Sequence, residues 1–237
     1  MREVPGLDGV TACVFDAYGT LFDFASAAER AIDLPPDRRA ALTALWRDKQ
    51  LQYTWLRSLQ DRYLDFEQVT ADNLDFALET LALDAGLRDT LMSLYRALDP
   101  FPEVPGVLRE LKRRGFKTAI LSNGTPQMLE SLVAHAGLTD AFDAIWSVDA
   151  VGVFKTHPRV YRYALDALSL PARAIALMSS NGWDAYATSD FGMRVVWCNR
   201  YGQPRERLPG APDFEVRTLA ELLDLLPPSP ADLTTSP

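Results

Sequence analysis

The feature that most constrains this chain is an alternation that is broken once. From Pro100 onward, short apolar runs rich in β-formers alternate with segments of helical period. GVLRELKRRG reads as a helix ending at Gly115, KTAILSNG as a strand and loop, and PQMLESLVAHAG as a helix. AIWSVDAVG follows as a strand and loop, then RVYRYALDALSL as a helix. AIALMSSNG is a strand and loop, WDAYATSDFG a short helix, RVVWCNR a strand, FEVRT a last strand and LAELLDLL a closing helix. Such alternation predicts a parallel sheet with right-handed crossovers. One further strand-like run, VTACVFD at residues 10–16, stands far upstream. It ends in Asp16 and is followed by Gly19, which permits a tight loop.

Between that first run and the rest no strand is visible. DRRAALTALWRDKQLQYTWLRSL places Leu42, Leu45, Trp46, Leu51, Trp55 and Leu59 at helical spacing. DFEQVTADNLDFALETLALDAGL repeats the pattern through Leu74, Leu78 and Leu81, with Gly86 as its expected stop. The expected architecture is therefore α/β, a doubly wound parallel-sheet, Rossmann-like core of residues 1–23 and 100–226. A helical cap subdomain of three or four helices, residues 24–99, is inserted after the first strand. Residues 227–237, PPSPADLTTSP, are expected to be disordered.

The 237 residues are 48% hydrophobic, enough for a substantial core. A formal net charge of -8 argues against nucleic acid or an anionic membrane as a partner. Cys13 and Cys198 lie inside strand-like runs without ligand-like spacing, so they read as buried free thiols of a reducing, cytoplasmic setting. No run approaches the ~20 apolar residues of a membrane helix, and residues 1–9 lack a signal-peptide pattern.

In sheets of this kind, polar residues just past the strands build the site. Asp16, Ala17, Tyr18, Gly19 and Thr20 follow the first strand, and Ser122, Asn123 and Gly124 the second. Lys155 follows the third after a short loop. Ser179, Ser180, Asn181, Gly182, Trp183 and Asp184 follow the fourth. Four strand ends thus converge on hydroxyls, amides, one lysine and two carboxylates.

DAYGT, LSNG, the lysine before PRVY, and SSNGWD, in that order, resemble the four motifs of the haloacid dehalogenase superfamily. WRDKQLQYTWLRSL, RYLDFEQVT, FPEVPGVL and VWCNR are similar, more narrowly, to the 2-haloacid dehalogenases. The likeness runs over roughly residues 10 to 225. It implies a HAD core with a helical cap, and hydrolysis of small 2-halo carboxylic acids to 2-hydroxy acids without metal or cofactor. It also implies halide release and makes a homodimer plausible. A Mg²⁺-dependent phosphatase of the superfamily is the alternative. Many such phosphatases carry an acid two positions after the nucleophile to protonate the leaving oxygen, but here that position is Tyr18. A departing halide needs no proton. A catalytically idle protein of the same fold is a further alternative.

The resemblance implies a role for each site residue. Asp16 is the nucleophile, rather than only a loop cap, and Lys155 keeps it ionised and oriented. Thr20 bonds Asp16 or its loop. Ser122, with the backbone of Ala17, Tyr18 and Asn123, binds the substrate carboxylate. Tyr161 either bonds a site carboxylate or fills the core. Ser179, Asn181 and Asp184 position Lys155 and the hydrolytic water, with Asp184 as general base of the second half-reaction or simply a helix N-terminal acid. Arg47 attracts halide or the substrate carboxylate. Phe66 and Trp183 line the halide pocket with Asn181.

Several departures from the family pattern bear on rate and substrate range. Asp48 stands where relatives often carry Gln and could pair with Arg47. Lys155 is followed by Thr156, His157 and Pro158 rather than directly by proline, which leaves His157 open to a role in proton transfer. Tyr186 and Ala187-Thr188 add bulk after SSNGWD. His135, before Gly137, reads as a helix C-terminal interaction.

Overall fold

The structure is a computed structural model, and it describes residues 6–24 and 34–227. The expected tail therefore lies outside the described residues except for Pro227, as does much of the first connection. A six-stranded parallel sheet forms the centre, in the order β3-β2-β1-β4-β5-β6. Its strands are β1 (Ala12–Phe15), β2 (Lys117–Ser122), β3 (Ala144–Ser147), β4 (Ile175–Ser179), β5 (Arg194–Cys198) and β6 (Phe214–Val216).

Burial explains the composition of the strands. Every residue of β1 is buried, because β1 pairs with β2 on one side and β4 on the other. Such a strand must be apolar on both faces. Val14 is in register with Ala119 and Leu177, and Phe15 meets Phe142 edge-on with ring centroids 6.5 Å apart. The chain direction of the winding reverses between β1 and β4, which is where α/β sheets open a crevice at their carboxyl ends. Asp16 leaves one of these strands and Asn181 the other.

Among the described residues between β1 and Pro100 lie helices α1 (Pro36–Leu59), α2 (Phe66–Thr80) and α3 (Arg88–Leu94), with a 3₁₀ turn at Ala85–Leu87. Proline at the first position starts α1, and Asp65 caps α2 by accepting from the Gln68 amide at 2.9 Å. The connections into and out of these helices run side by side. Phe22 bridges to Pro100, the Asp23 amide donates to the Asp99 carbonyl at 2.9 Å, and the Phe101 amide to the Leu21 carbonyl at 2.9 Å.

Two expectations for these helices need correction. The buried row of α1 is Leu42, Trp46, Gln50 and Thr54. Leu59 is exposed, and Leu51 and Trp55 are only partly buried. The row runs at intervals of four, so its C-terminal half carries polar groups against α2. α2 ends at Thr80, with Ala82 rather than Gly86 in the left-handed region at φ 49°. Gly86 instead lies in the following 3₁₀ turn, where Asp84 accepts its amide.

The remaining helices are α4 (Val104–Arg113), α5 (Pro126–His135), α6 (Pro158–Leu168), α7 (Gly182–Phe191) and α8 (Leu222–Leu225). Gly115 follows α4 at φ 85° and Gly192 ends α7 at φ 100°, conformations that L side chains adopt at a cost. Cys13 and Cys198 are free and buried. Among the described residues no helix is long and apolar enough to cross a membrane.

Candidate active site

Asp16 is buried to 5% exposure at the carboxyl end of β1, and both carboxylate oxygens are occupied. Oδ1 faces Lys155 Nζ at 3.2 Å. Oδ2 accepts from Thr20 Oγ1 at 3.0 Å and from Asn181 Nδ2 at 2.8 Å. Thr20 thus bonds Asp16 itself, and its hydroxyl also accepts the Ser180 amide of the β4 loop at 2.8 Å. The threonine therefore ties the β1 loop to the β4 loop while aiming the carboxylate.

Lys155 is fully buried, and its ammonium lies between Asp16 and Asp184, 2.8 Å from Asp184 Oδ2. Burial alone lowers a lysine, but the two carboxylates reverse this and raise Lys155 above its ordinary value. The ammonium is thus the resident cation of the pair. Asn123 holds the loop by accepting the Lys155 amide at 3.0 Å. Asp184 is itself fully buried, and Tyr161 donates to its Oδ1 at 2.9 Å. Burial raises the Asp184 carboxyl, Lys155 opposes that, and the charge of Asp16 adds to it. Tyr161 is held far above the ordinary phenol range by burial and by Asp184, so it is a neutral donor.

A small cavity opens onto Asp16. It is lined by Tyr18, Arg47, Gln50, Leu51, Phe66, Ser122, Asn123, Asn181 and Trp183. Tyr18 stacks on Phe66 with centroids 5.9 Å apart, and its hydroxyl donates to the Tyr95 carbonyl at 3.4 Å. Burial keeps that phenol protonated far above its usual range. Arg47 reaches down from α1 to the core: Nη2 donates to Asn181 Oδ1 at 2.9 Å and Nη1 to Gln50 Oε1 at 3.0 Å. One amide side chain, Asn181, therefore links the arginine of the helices to the aspartate of the sheet. Ser122 lines the cavity, and its hydroxyl accepts the Gly124 amide at 3.2 Å. Ala17 is buried beneath the loop.

Two larger depressions lie on the surface away from these groups, one between Asp65 and Asp149 and another beside Phe191, while a third adjoins the site on the far side of Tyr18, Arg47 and Asn181, lined also by Phe24, Tyr95 and Tyr201. Among the described residues no third His, Cys, Asp or Glu joins Asp16 and Asp184 to complete a metal-binding group.

Some expected residues stand elsewhere. Ser179 is buried, but its hydroxyl accepts the Asn181 amide at 3.2 Å, so it shapes the turn; Lys155 is held by Asp16 and Asp184 instead. Lys155 and Asp184 lie behind Asp16 rather than in the cavity wall. Asp48 is exposed, and Arg47 spends its hydrogen bonds on Gln50 and Asn181. His157 caps α6, its Nδ1 accepting the Arg159 amide at 3.2 Å, and it lines no part of the cavity. His135 sits in the last turn of α5 with Nε2 4.0 Å from Asp99, while the cap is Ala136. Tyr186 turns away from the cavity and meets Trp197 edge-on. Thr188 is buried behind Tyr161.

Gln50, Leu51, Tyr95 and Arg200 belong to this region and were not anticipated. Gln50 was findable, because it extends the row Leu42, Trp46 by one turn. Arg200 was hidden at a strand end: Nη2 donates to the Thr20 carbonyl at 2.8 Å and Nη1 pairs with Glu103 at 2.7 Å.

Comparison with known proteins agrees with this geometry. A family model described as haloacid dehalogenase-like hydrolase matches residues 10–192. An (S)-2-haloacid dehalogenase of Pseudomonas sp. (strain YL) is 49% identical over 221 residues, 92% of this chain and 95% of that protein. A crystal structure of an L-2-haloacid dehalogenase superposes with a TM-score of 0.88 at 45% identity, covering 91% of this chain and 97% of that one. The L-2-haloacid dehalogenase of Xanthobacter autotrophicus, solved with chloropropionic acid covalently bound, superposes with a TM-score of 0.84 at 39% identity, covering 91% and 98%. The chain belongs to the 2-haloacid dehalogenases of the haloacid dehalogenase superfamily.

Proposed function

We propose that this chain hydrolyses small 2-halo carboxylic acids to 2-hydroxy acids through an ester on Asp16. The observation that carries the reading is the Lys155 ammonium 3.2 Å from an Asp16 carboxylate that faces a small cavity lined by Arg47, Ser122 and Asn181. The names of the relatives support the substrate class, and the covalently bound chloropropionic acid of the Xanthobacter protein supports the covalent route.

In the first half-reaction an Asp16 oxygen attacks C2 from the side opposite the halogen. The C–O bond forms as the carbon–halogen bond breaks, the configuration at C2 inverts, and halide leaves with the bonding pair. An (S)-substrate therefore yields the opposite hand of product. Ser122 and the amides of Ala17, Tyr18 and Asn123 hold the substrate carboxylate, while Arg47, Asn181, Phe66 and Trp183 receive the halide. The halide needs no proton, which suits a buried, protonated Tyr18 at the position where a phosphatase needs an acid.

Water then attacks the Asp16 carbonyl carbon and gives its proton to Asp184. Collapse of the tetrahedral centre breaks the C–O bond to the product, whose oxygen takes the proton back from Asp184, and the regenerated Asp16 carboxyl gives its own proton to solvent. Once Asp16 is an ester, its charge no longer adds to what raises Asp184, while Lys155 still favours the carboxylate form. The helices of residues 34–99 serve as a cap that excludes bulk water. Buried thiols at Cys13 and Cys198 support a reducing, cytoplasmic setting. Exposed Leu56 and Leu59 on α1 support a homodimer.

A single turnover in ¹⁸O water tests the route. Label is expected in Asp16 after the first turnover, and label appearing directly in the first product would overturn the ester.

A further inference from the structure

Gln50 is fully buried in the middle of α1, an uncommon place for a long polar side chain. Every polar atom of its amide has a partner. Nε2 donates to Thr70 Oγ1 at 2.8 Å and to the Tyr95 hydroxyl at 3.1 Å. Those two contacts fix the amide so that Oε1 faces Arg47, whose Nη1 donates to it at 3.0 Å. The second hydrogen bond of Arg47 also ends on an amide oxygen, Asn181 Oδ1 at 2.9 Å. The guanidinium is therefore aimed by neutral groups only, these two amide oxygens and the Tyr95 hydroxyl beside it. Arginines beside low-dielectric walls more often lie on carboxylates, which orient and neutralise together.

We propose that Gln50 is a positioning residue for the reaction: its amide oxygen holds Arg47 over the cavity and leaves the positive charge uncompensated for the incoming anion. The inference rests on the reading of Arg47 as the group that attracts halide or carboxylate. Thr70 acts one step further back, and Tyr95 both there and beside the arginine itself, by setting which end of the amide meets the guanidinium. The polarity of the site is thereby set by a residue that acts through Arg47.

The substitution Gln50→Glu preserves shape and places a carboxylate against the guanidinium. Gln50→Met removes the hold without adding charge. If charge matters, Gln50→Glu weakens halide binding more than Gln50→Met, although it retains more of the polar network. A merely structural role orders them the other way. The readouts are the KM for 2-chloropropionate and the inhibition constant for bromide. We expect both to rise about tenfold or more in Gln50→Glu, with kcat changed less, and severalfold in Gln50→Met. Arg47→Ala, alone and combined with Gln50→Met, completes the cycle. The Gln50→Met effect on bromide should vanish without Arg47. An equal effect with and without Arg47, or a Gln50→Glu protein with wild-type constants, overturns the proposal while leaving Arg47 its role. Arg47→Ala with wild-type bromide inhibition instead overturns the reading of Arg47 itself. Should Gln50→Glu fail to fold, the Gln50→Met cycle still decides.

Discussion

The Lys155 ammonium and the Asp184 carboxylate meet at 2.8 Å with neither side chain exposed to solvent. Breaking a buried pair of this kind leaves an uncompensated charge, worth about 3–5 kcal/mol. Lys155→Met should lower the unfolding free energy by about that amount, because Asp16 and Asp184 then face each other without a cation. Adding Asp184→Asn should restore part of the loss, so the double variant is less destabilised than the single one. Chemical denaturation of the single and double variants measures both.

The same pair sets an alkaline limit. The folded Lys155 value lies above the ordinary lysine value of ~10.4. A raised lysine contributes stability that is fully present below the unfolded value and is lost as pH rises through the folded one. Activity and stability should therefore hold through pH 9 and decline only beyond the ordinary lysine range. A rate profile with an alkaline limb near pH 8 would show that the ammonium is not what fails.

Asp16→Asn keeps a side chain of the same size beneath Thr20 and Asn181 but removes the nucleophile. Turnover of 2-chloropropionate should fall by on the order of 10⁴ or more. Mass spectrometry of protein quenched during turnover should find an adduct on Asp16 in the wild type and none in the variant.

Arg200 lies with its guanidinium 3.7 Å from the Phe101 ring centroid, bonded to the Thr20 carbonyl and to Glu103. It fastens the loop that carries Thr20 to the segment by which the chain returns from the helices. Lysine cannot serve both partners and the ring, so Arg200→Lys should cost roughly 2 kcal/mol. It should also reduce kcat through Thr20. Urea unfolding and steady-state rates separate the two effects.

At Gly124 an added Cβ would stand 3.1 Å from both Tyr18 Cε2 and Leu129 Cδ2. Tyr18 is confined by Phe66 and Tyr95, with centroids at 5.9 and 5.2 Å. Gly124→Ala should cost about 1–3 kcal/mol and raise KM by moving the Tyr18 ring into the cavity. Gly182→Ala meets mainly the exposed Glu206 side chain, which can swing aside, and should be milder in thermal unfolding.

How far the site was legible depended on the kind of contact. Asp16, Lys155 and Asp184 stand after three different strands, and parallel strands carry their ends to one edge, so motif order sufficed to bring them together. Thr20 followed from the same logic, while for Tyr161, on α6, the sequence left a site carboxylate and the core as alternatives, and its hydroxyl donates to Asp184. Ser179 did not, because a hydroxyl at a strand end can equally bond substrate, lysine or its own turn, and local geometry chose the turn. His157 invited a chemical role for the same reason, yet the α6 amide claimed its imidazole.

The sequence by itself determined the doubly wound sheet, the helical interruption after β1 and the converging strand ends. These rest on apolar runs and helical period, which act through nearest neighbours along the chain. The tertiary structure alone decided that Gln50 is buried beneath Arg47, that Asn181 joins Arg47 to Asp16, and that Asp48 points to water. Those outcomes depend on which face of α1 meets α2 and the sheet. A polar side chain becomes an inside residue only when distant partners, here Thr70 and Tyr95, satisfy its hydrogen bonds.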